Sequence, residues 1–246
     1  MARGRLNGLW ALARSLIMAS RRECNQMTSH PTFLPGQDRQ RQLPEALLDR
    51  LEIRDLIDNW VVWRDGGDWE RFATVWHQDG RMNATWFQAG AAEFIAGCRN
   101  SFDAGMVGLH LLGASSIDAR GSRAVAQTQM QITQRARVHD VAVDVICQGR
   151  FFDALERRSG RWGIVLRQPV YELDRIAPVD PGATVELDHE LLMSFPEGYR
   201  HLAYLQTQMG FQISKTLPGT RGPEMQALKL RMSKWLAGDD VSCLSA

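Results

Sequence analysis

Residues 107–176 hold four long strand-like stretches in succession: "VGLHLLGASSIDA", "RAVAQTQMQITQRARV", "VAVDVICQGRFFDALERR" and "RWGIVLRQPVYELDRI". Short turns carrying Gly, Asp or Ser part them ("ARGS", "VHD", "RSG"). Turns of that length join antiparallel neighbours, so this part of the chain is committed to a meander. Its open question is what covers the faces of the resulting sheet.

The residues ahead of the meander read as helix. Ile53, Leu56, Ile57, Trp60 and Val61 recur at i, i+3, i+4, i+7 and i+8, one apolar stripe. Pro44 suits the first turn of that helix, and Gly66-Gly67 ends it. Asp68 then caps a second helix with "WERFATVW" as its body. "RMNATWFQ" alternates as a short strand, and "AAEFIAGCRNSF" reads as a third helix closed by Gly105. Helices first and strands after them predict an α+β fold over residues 44–176.

Both ends of the chain read differently. Residues 1–26 are Arg-rich and nearly free of acids, and Arg14 interrupts their apolar stretch, which spoils a signal-peptide core. An organellar transit peptide has this composition; the preferred reading is a start at Met27 followed by a polar leader. Residues 1–43 are thus expected to be a disordered or mis-started leader. Beyond the Pro/Gly hinge "APVDPGA", residues 177–246 are expected to form a helical extension. Its two amphipathic segments are "EGYRHLAYLQTQMGFQI" and "PEMQALKLRMSKWLAG". They are too short for an independent domain. They are expected to pack on the main domain or to serve an oligomer contact.

Composition narrows the function classes. A net charge of +1 gives no electrostatic case for nucleic acid or a charged membrane surface. No apolar run reaches the roughly 18 residues that span a bilayer. Cys24, Cys98, Cys147 and Cys243 are scattered without a C-x-x-C pair, which suits a reducing cytoplasm. His77, His139, His189 and His201 lack the spacing of metal ligands on one helix or hairpin. No metal and no nucleotide or other cofactor is expected.

Three residues are candidates for chemistry. Asp65 follows Val61 by four and lies at the edge of the buried stripe, either as a solvated helix-end charge or as a carboxylate at a pocket mouth. His110 sits among Leu109, Leu111 and Leu112; alone, such a histidine is more often a satisfied core residue than a base. Arg167 shares strand parity with Gly163, Val165 and Tyr171, and alone it reads as a surface or ion-paired arginine. Together they supply a base, a carboxylate to orient it, and a fixed positive charge for a leaving group or oxyanion. Trp60, Val61, Met82, Trp86, Phe102 and Tyr171 are the candidates to line an apolar cavity, with Trp63 and Phe87 as further aromatic neighbours. Asp144 alternates with Val143 and Val145 and points either inward or to solvent.

The order "EIRDLIDNWVVWRDGGDWERFATVWHQDGRM", "GLHLLGASSIDARGSRAVAQT", "RRSGRWGIVLRQPVYEL" resembles the SnoaL-like members of the nuclear-transport-factor-like superfamily. Within it the likeness is to the scytalone dehydratase and hexachlorocyclohexane dehydrochlorinase group. It covers about residues 44–176. The resemblance implies a cone-shaped α+β barrel, helices closed against a strongly curved antiparallel sheet, with a pocket inside. In that group a catalytic aspartate ends the first long helix and falls on Asp65. The family histidine opens the strand after the third helix and falls on His110. The dehydrochlorinase arginine falls on Arg167, after Gly160-Arg161-Trp162. Trp60 stands where the dehydrochlorinase carries a lysine, and the tyrosines and second histidine of scytalone dehydratase have no evident counterpart. The resemblance therefore implies a cofactor-independent lyase or isomerase with a His-Asp dyad acting on a small apolar cyclic or aromatic substrate. It also implies a homo-oligomer, dimer or trimer. The rival is a binding module of the same fold without chemistry.

Overall fold

The computed structural model describes residues 44–245; the leader expected over residues 1–43 lies outside the described residues. Helix α1 spans Glu45–Gly66 and buries Ile53, Ile57, Trp60 and Val61. Each large apolar side chain so buried contributes about 1.5–3 kcal/mol, so this face holds the helix in place more than intrinsic propensity does. Pro44 is the residue just ahead of the helix rather than part of its first turn. The helix stops because Gly67 adopts the left-handed conformation, φ 73°. The Asp68 N–H then donates back to the Trp63 carbonyl at 2.8 Å, which satisfies an end carbonyl.

Helix α2, Trp69–Thr74, is capped by the Asp68 carboxylate, which accepts from the Arg71 N–H at 3.2 Å. The sequence pattern carried this helix on to Trp76. Instead Trp76 opens strand β1, Trp76–Asn83, because it is buried and pairs with Ile164. Strand β2, Gln88–Gly90, folds back on β1. Helix α3 spans Ala91–Asp103.

The meander follows as β3 (Val107–Arg120), β4 (Arg123–Val138), β5 (Val141–Arg158) and β6 (Arg161–Pro178). His139-Asp140 and Ser159-Gly160 turn two of its hairpins with both φ angles positive, the twist-compatible two-residue geometry. The sheet order is β2-β1-β6-β5-β4-β3. All pairs are antiparallel except β1 with β6, which run parallel. The result is an α+β fold whose six-stranded sheet curves without closing.

Two bulges in β6 help to bend it. Ala154 pairs with Leu166 while Leu155 pairs with Ile164, leaving Val165 as the extra residue. Gln148 and Gly149 pair with Leu173 and Tyr171, leaving Glu172 as the extra residue. An inserted residue sharpens local twist and resets which side chains share a face. Val165 and Leu166 accordingly pack on the outer face, whereas Ile164 and Tyr171 belong to the main core.

The C-terminal residues cover both faces. Helix α4 spans His189–Met193, and α5, Arg200–Gln208, follows a short 3-10 turn at Glu197–Tyr199. Leu202, Ala203, Tyr204 and Leu205 of α5 are buried in the main core. Helix α6, Pro223–Ala237, lays Met225, Leu228, Met232 and Trp235 on Val125, Phe152, Val165 and Val170 of the outer face. Farther along that face the sheet meets solvent. There Asp144 pairs with its cross-strand partner Arg135 through two bonds of 2.7 Å, which settles the outward reading of Asp144.

Candidate active site

The last turn of α1 and the first residues of β3 meet at one carboxylate. Asp65 Oδ1 accepts from His110 Nδ1 at 2.9 Å, and Asp65 Oδ2 accepts from the His110 backbone N–H at 2.6 Å. The same Oδ1 accepts from Arg64 Nη1 at 2.8 Å, and Nη1 donates a second bond to the Gly108 carbonyl at 2.9 Å. The acid at the end of the buried stripe is thus neither solvated nor idle. It ties the helix to the edge strand and fixes the imidazole ring. The bond to Nδ1 selects the tautomer with its proton there and leaves Nε2 bare.

A cavity of about 200 Å³ lies beside this ring. Both His110 and Asp65 are on its wall, with side chains only 7% and 12% exposed. Nε2 makes no hydrogen bond among the described residues. Aromatic rings dominate the rest of the wall. Trp60 meets His110 edge-on, ring centres 5.4 Å apart, and Phe151 lies 6.2 Å from it. Trp86, Phe94, Met82 and Tyr171 continue the lining, and Phe102, 45% exposed, also lies on it. Opposing influences set the two charges. Burial pushes the His110 ring below its ordinary value, and Arg64 and Arg167 reinforce this, against the upward pull of Asp65. Burial would raise Asp65, but the hydrogen bond and charge of His110, with Arg64, hold its carboxyl low. At neutral pH the pair is an anion beside a neutral imidazole.

Five of the six expected lining residues, Trp60, Met82, Trp86, Phe102 and Tyr171, are on the cavity wall. Val61 is not: it is buried in the core among its neighbours, one helical step around from Trp60. Arg167 is also elsewhere. Its Nε and Nη2 donate to Asp153 Oδ1 and Oδ2, both at 2.7 Å, and both side chains are wholly buried. The guanidinium carbon lies 4.4 Å from the Trp60 ring centre and 4.2 Å from that of Phe151. It backs the rings that line the cavity instead of facing into it. The shared parity of Arg167 with Val165 fails at the bulge, since Val165 packs under α6.

Several wall residues had no place in the sequence reading. Arg64 and Cys98 stand beside the carboxylate, and burial pushes the Cys98 thiol up. Leu202, Gln206 and Phe211 reach the cavity from the C-terminal residues. Gln206 joins a polar chain in which Thr85 Oγ1 donates to its Oε1 at 2.6 Å and its Nε2 donates to Gln134 at 3.1 Å. Leu202 and Gln206 stand four residues apart, one helical face, and that spacing was the available signal. Among the described residues no cluster of His, Cys, Asp or Glu is arranged to hold a metal ion. No described helix is long and apolar enough to cross a membrane.

Residues 45–168 match the family model described as the SnoaL-like domain. Pea pathogenicity protein 2 of Fusarium vanettenii is 32% identical over 210 residues, covering 80% of this chain and 90% of its own length. An uncharacterized protein of Emericella nidulans is 32% identical over 211 residues, covering 79% and 89%. Among solved structures, a hexachlorocyclohexane dehydrochlorinase is similar at 14% identity and a TM-score of 0.47, over 58% of this chain and 97% of that one. A protein from Kribbella flavida is similar at 15% identity and a TM-score of 0.46, over 51% and 91%.

Proposed function

This chain belongs to the SnoaL-like domain family, and we propose that it is a cofactor-independent lyase or isomerase in which His110 is the proton-abstracting base. The carrying observation is the 2.9 Å bond from His110 Nδ1 to Asp65 beside an aromatic cavity that the same ring lines. Asp65 orients the imidazole and stabilises the imidazolium it becomes. Nε2 takes a proton from a substrate carbon, and the C–H electron pair then has two outlets. It forms a double bond as a neighbouring substituent departs with its own pair, which is the lyase outcome. Otherwise it delocalises and is reprotonated at another carbon, which is the isomerase outcome. The aromatic rings around it reduce the access of water to the imidazolium and strengthen its interactions.

Cavity size bounds the substrate. An apolar cavity of about 150 Å³ accommodates benzene, so about 200 Å³ suits a single six-membered ring with one or two small substituents. The test is a turnover screen of small cyclic alcohols, ketones and phenols, repeated with His110→Ala. Binding retained with turnover lost supports the base. Wild-type turnover in the variant sinks it. Ring binding without turnover in the wild type assigns the cavity to a binding module instead.

A further inference from the structure

Two arginines neighbour the His110–Asp65 pair; each keeps a buried N–H group without a hydrogen-bond partner among the described residues, and they differ in which of them reaches the cavity. Arg167 gives two bonds to Asp153 and lays its faces on Trp60 and Phe151. Arg64 lies on the cavity wall, and only its Nη1 is engaged, by Asp65 and the Gly108 carbonyl. Its Nε is buried without a hydrogen-bond partner, and every bond its guanidinium makes to an oxygen of a described residue runs from Nη1. The neighbour on that side is the Cys98 thiol, a weak acceptor. A guanidinium on a cavity wall whose remaining N–H groups meet no better acceptor than a thiol suits an acceptor inside the cavity.

We infer that Arg64 is the anion-holding residue of this site: it receives the negative charge that develops on a substrate oxygen as His110 takes a proton, so the substrate is a ring bearing a carbonyl or phenolic oxygen. This rests on the proton-transfer reading above and adds the substrate class to it. For a ring ketone the C–H bond breaks and an N–H bond forms at Nε2. The freed pair becomes a C=C bond, and the carbonyl π pair moves onto oxygen. Before the step the charges are +1 on Arg64, −1 on Asp65 and none on His110. After it His110 carries +1 and the substrate oxygen −1. Because Arg64 Nη1 and His110 Nδ1 both donate to Asp65 Oδ1, the guanidinium and the imidazole are held in place before the anion forms, which is the preorganisation that lowers such barriers.

The probe is 4-nitrophenol, a single ring whose phenolate absorbs in the visible. The ionisable groups around it are Arg64 and Asp65 from α1, Cys98 from α3, His110 from β3, and Arg167 and Tyr171 from β6. Bound to the wild type, the probe is more ionised than in buffer at the same pH. Arg64→Gln lowers its bound phenolate-to-phenol ratio about tenfold, the loss of a charge-assisted hydrogen bond. An equal ratio in the two proteins overturns the inference and leaves the His110 base standing. No binding of the probe to the wild type removes the single-ring reading and this inference with it. Should Arg64→Gln fail to fold, the side-chain ¹⁵N signal of Arg64 in the wild type decides the matter: it shifts when the probe binds, and an unmoved signal overturns the inference.

Discussion

The molecule contains two His–Asp pairs built almost alike. His110 Nδ1 donates to Asp65 at 2.9 Å, and the other carboxylate oxygen accepts a backbone N–H from β3. His201 Nδ1 donates to Asp174 at 2.8 Å, and the other oxygen accepts the Leu202 N–H of α5 at 2.8 Å. Bond lengths do not tell them apart. Surroundings do. The first pair sits on the cavity wall beside Arg64 and several aromatic rings, whereas the second is absent from that wall and ties the first turn of α5 to β6. A carboxylate that accepts from both a ring nitrogen and a backbone N–H is, first of all, a clasp between two elements. It becomes a candidate for chemistry only where the other ring nitrogen meets a space that a substrate can fill.

The sharpest way to break this comparison is to remove each ring in turn. On a substrate found by the screen, His110→Ala is expected to lower kcat/KM by about 10²–10⁴, while His201→Ala leaves it within about twofold. Equal losses would show that both act through folding. The second largest effect concerns the buried ion pair behind the rings. Asp153→Ala strands the Arg167 charge in a fully buried place, and breaking such a pair costs about 3–5 kcal/mol, read as a lower urea midpoint. A midpoint within error of wild type would contradict the burial of the pair.

Acid tests the first pair. Because burial sets His110 below the ordinary histidine value of 6.5, the base stays neutral at pH 7. Its kcat/KM should be flat above pH 6.5 and fall about tenfold per unit only below the lowered value. The same depression makes the unfolded chain take up the His110 proton first, so stability is lost as pH drops from 6.5 through the folded value. Asp65, held below the ordinary 3.8, adds a second loss as pH falls through its own lowered value. An acid limb above pH 6.5 would remove His110 as the titrating base. The smallest effect is expected at the second clasp. Asp174→Ala removes a helix-end acceptor, worth about 0.5–2 kcal/mol, with turnover unchanged at saturating substrate.

The two clasps also show how much of the site was legible. Asp65 could be placed at the end of a buried stripe because helical spacing carries Ile53, Ile57 and Trp60 to one side. His110 could be placed near the start of a strand, and the family resemblance alone set it opposite that helix end. Arg167 and Val61 went astray for local geometric reasons. Arg167 shares the inner face with Tyr171, but Asp153, opposite it on β5, takes up its charge, and a residue next to Trp60 on a helix points about 100° away from it. Arg64 was hidden because its neighbours in sequence explain it as a helix-end charge. Its open donors become visible only against Gly108 and Cys98, brought in from β3 and α3. Gln206 and Phe211 reach the cavity from the C-terminal residues, and no local pattern says which face of the sheet those residues will cover.

What the sequence determined by itself is the set of elements. Periods of 3.6 and 2, with Gly and Asp at the turns, are local properties that neighbouring residues impose on one another. What only the tertiary structure decided is which charges lie behind the core rings and which reach the cavity. Arg64 and Arg167 carry the same group, yet Arg167 meets a carboxylate edge-on against two rings and Arg64 stands at a cavity. That difference arises from packing between elements distant in the chain: Asp153 of β5 engages Arg167, whereas Gly108 of β3 engages Arg64.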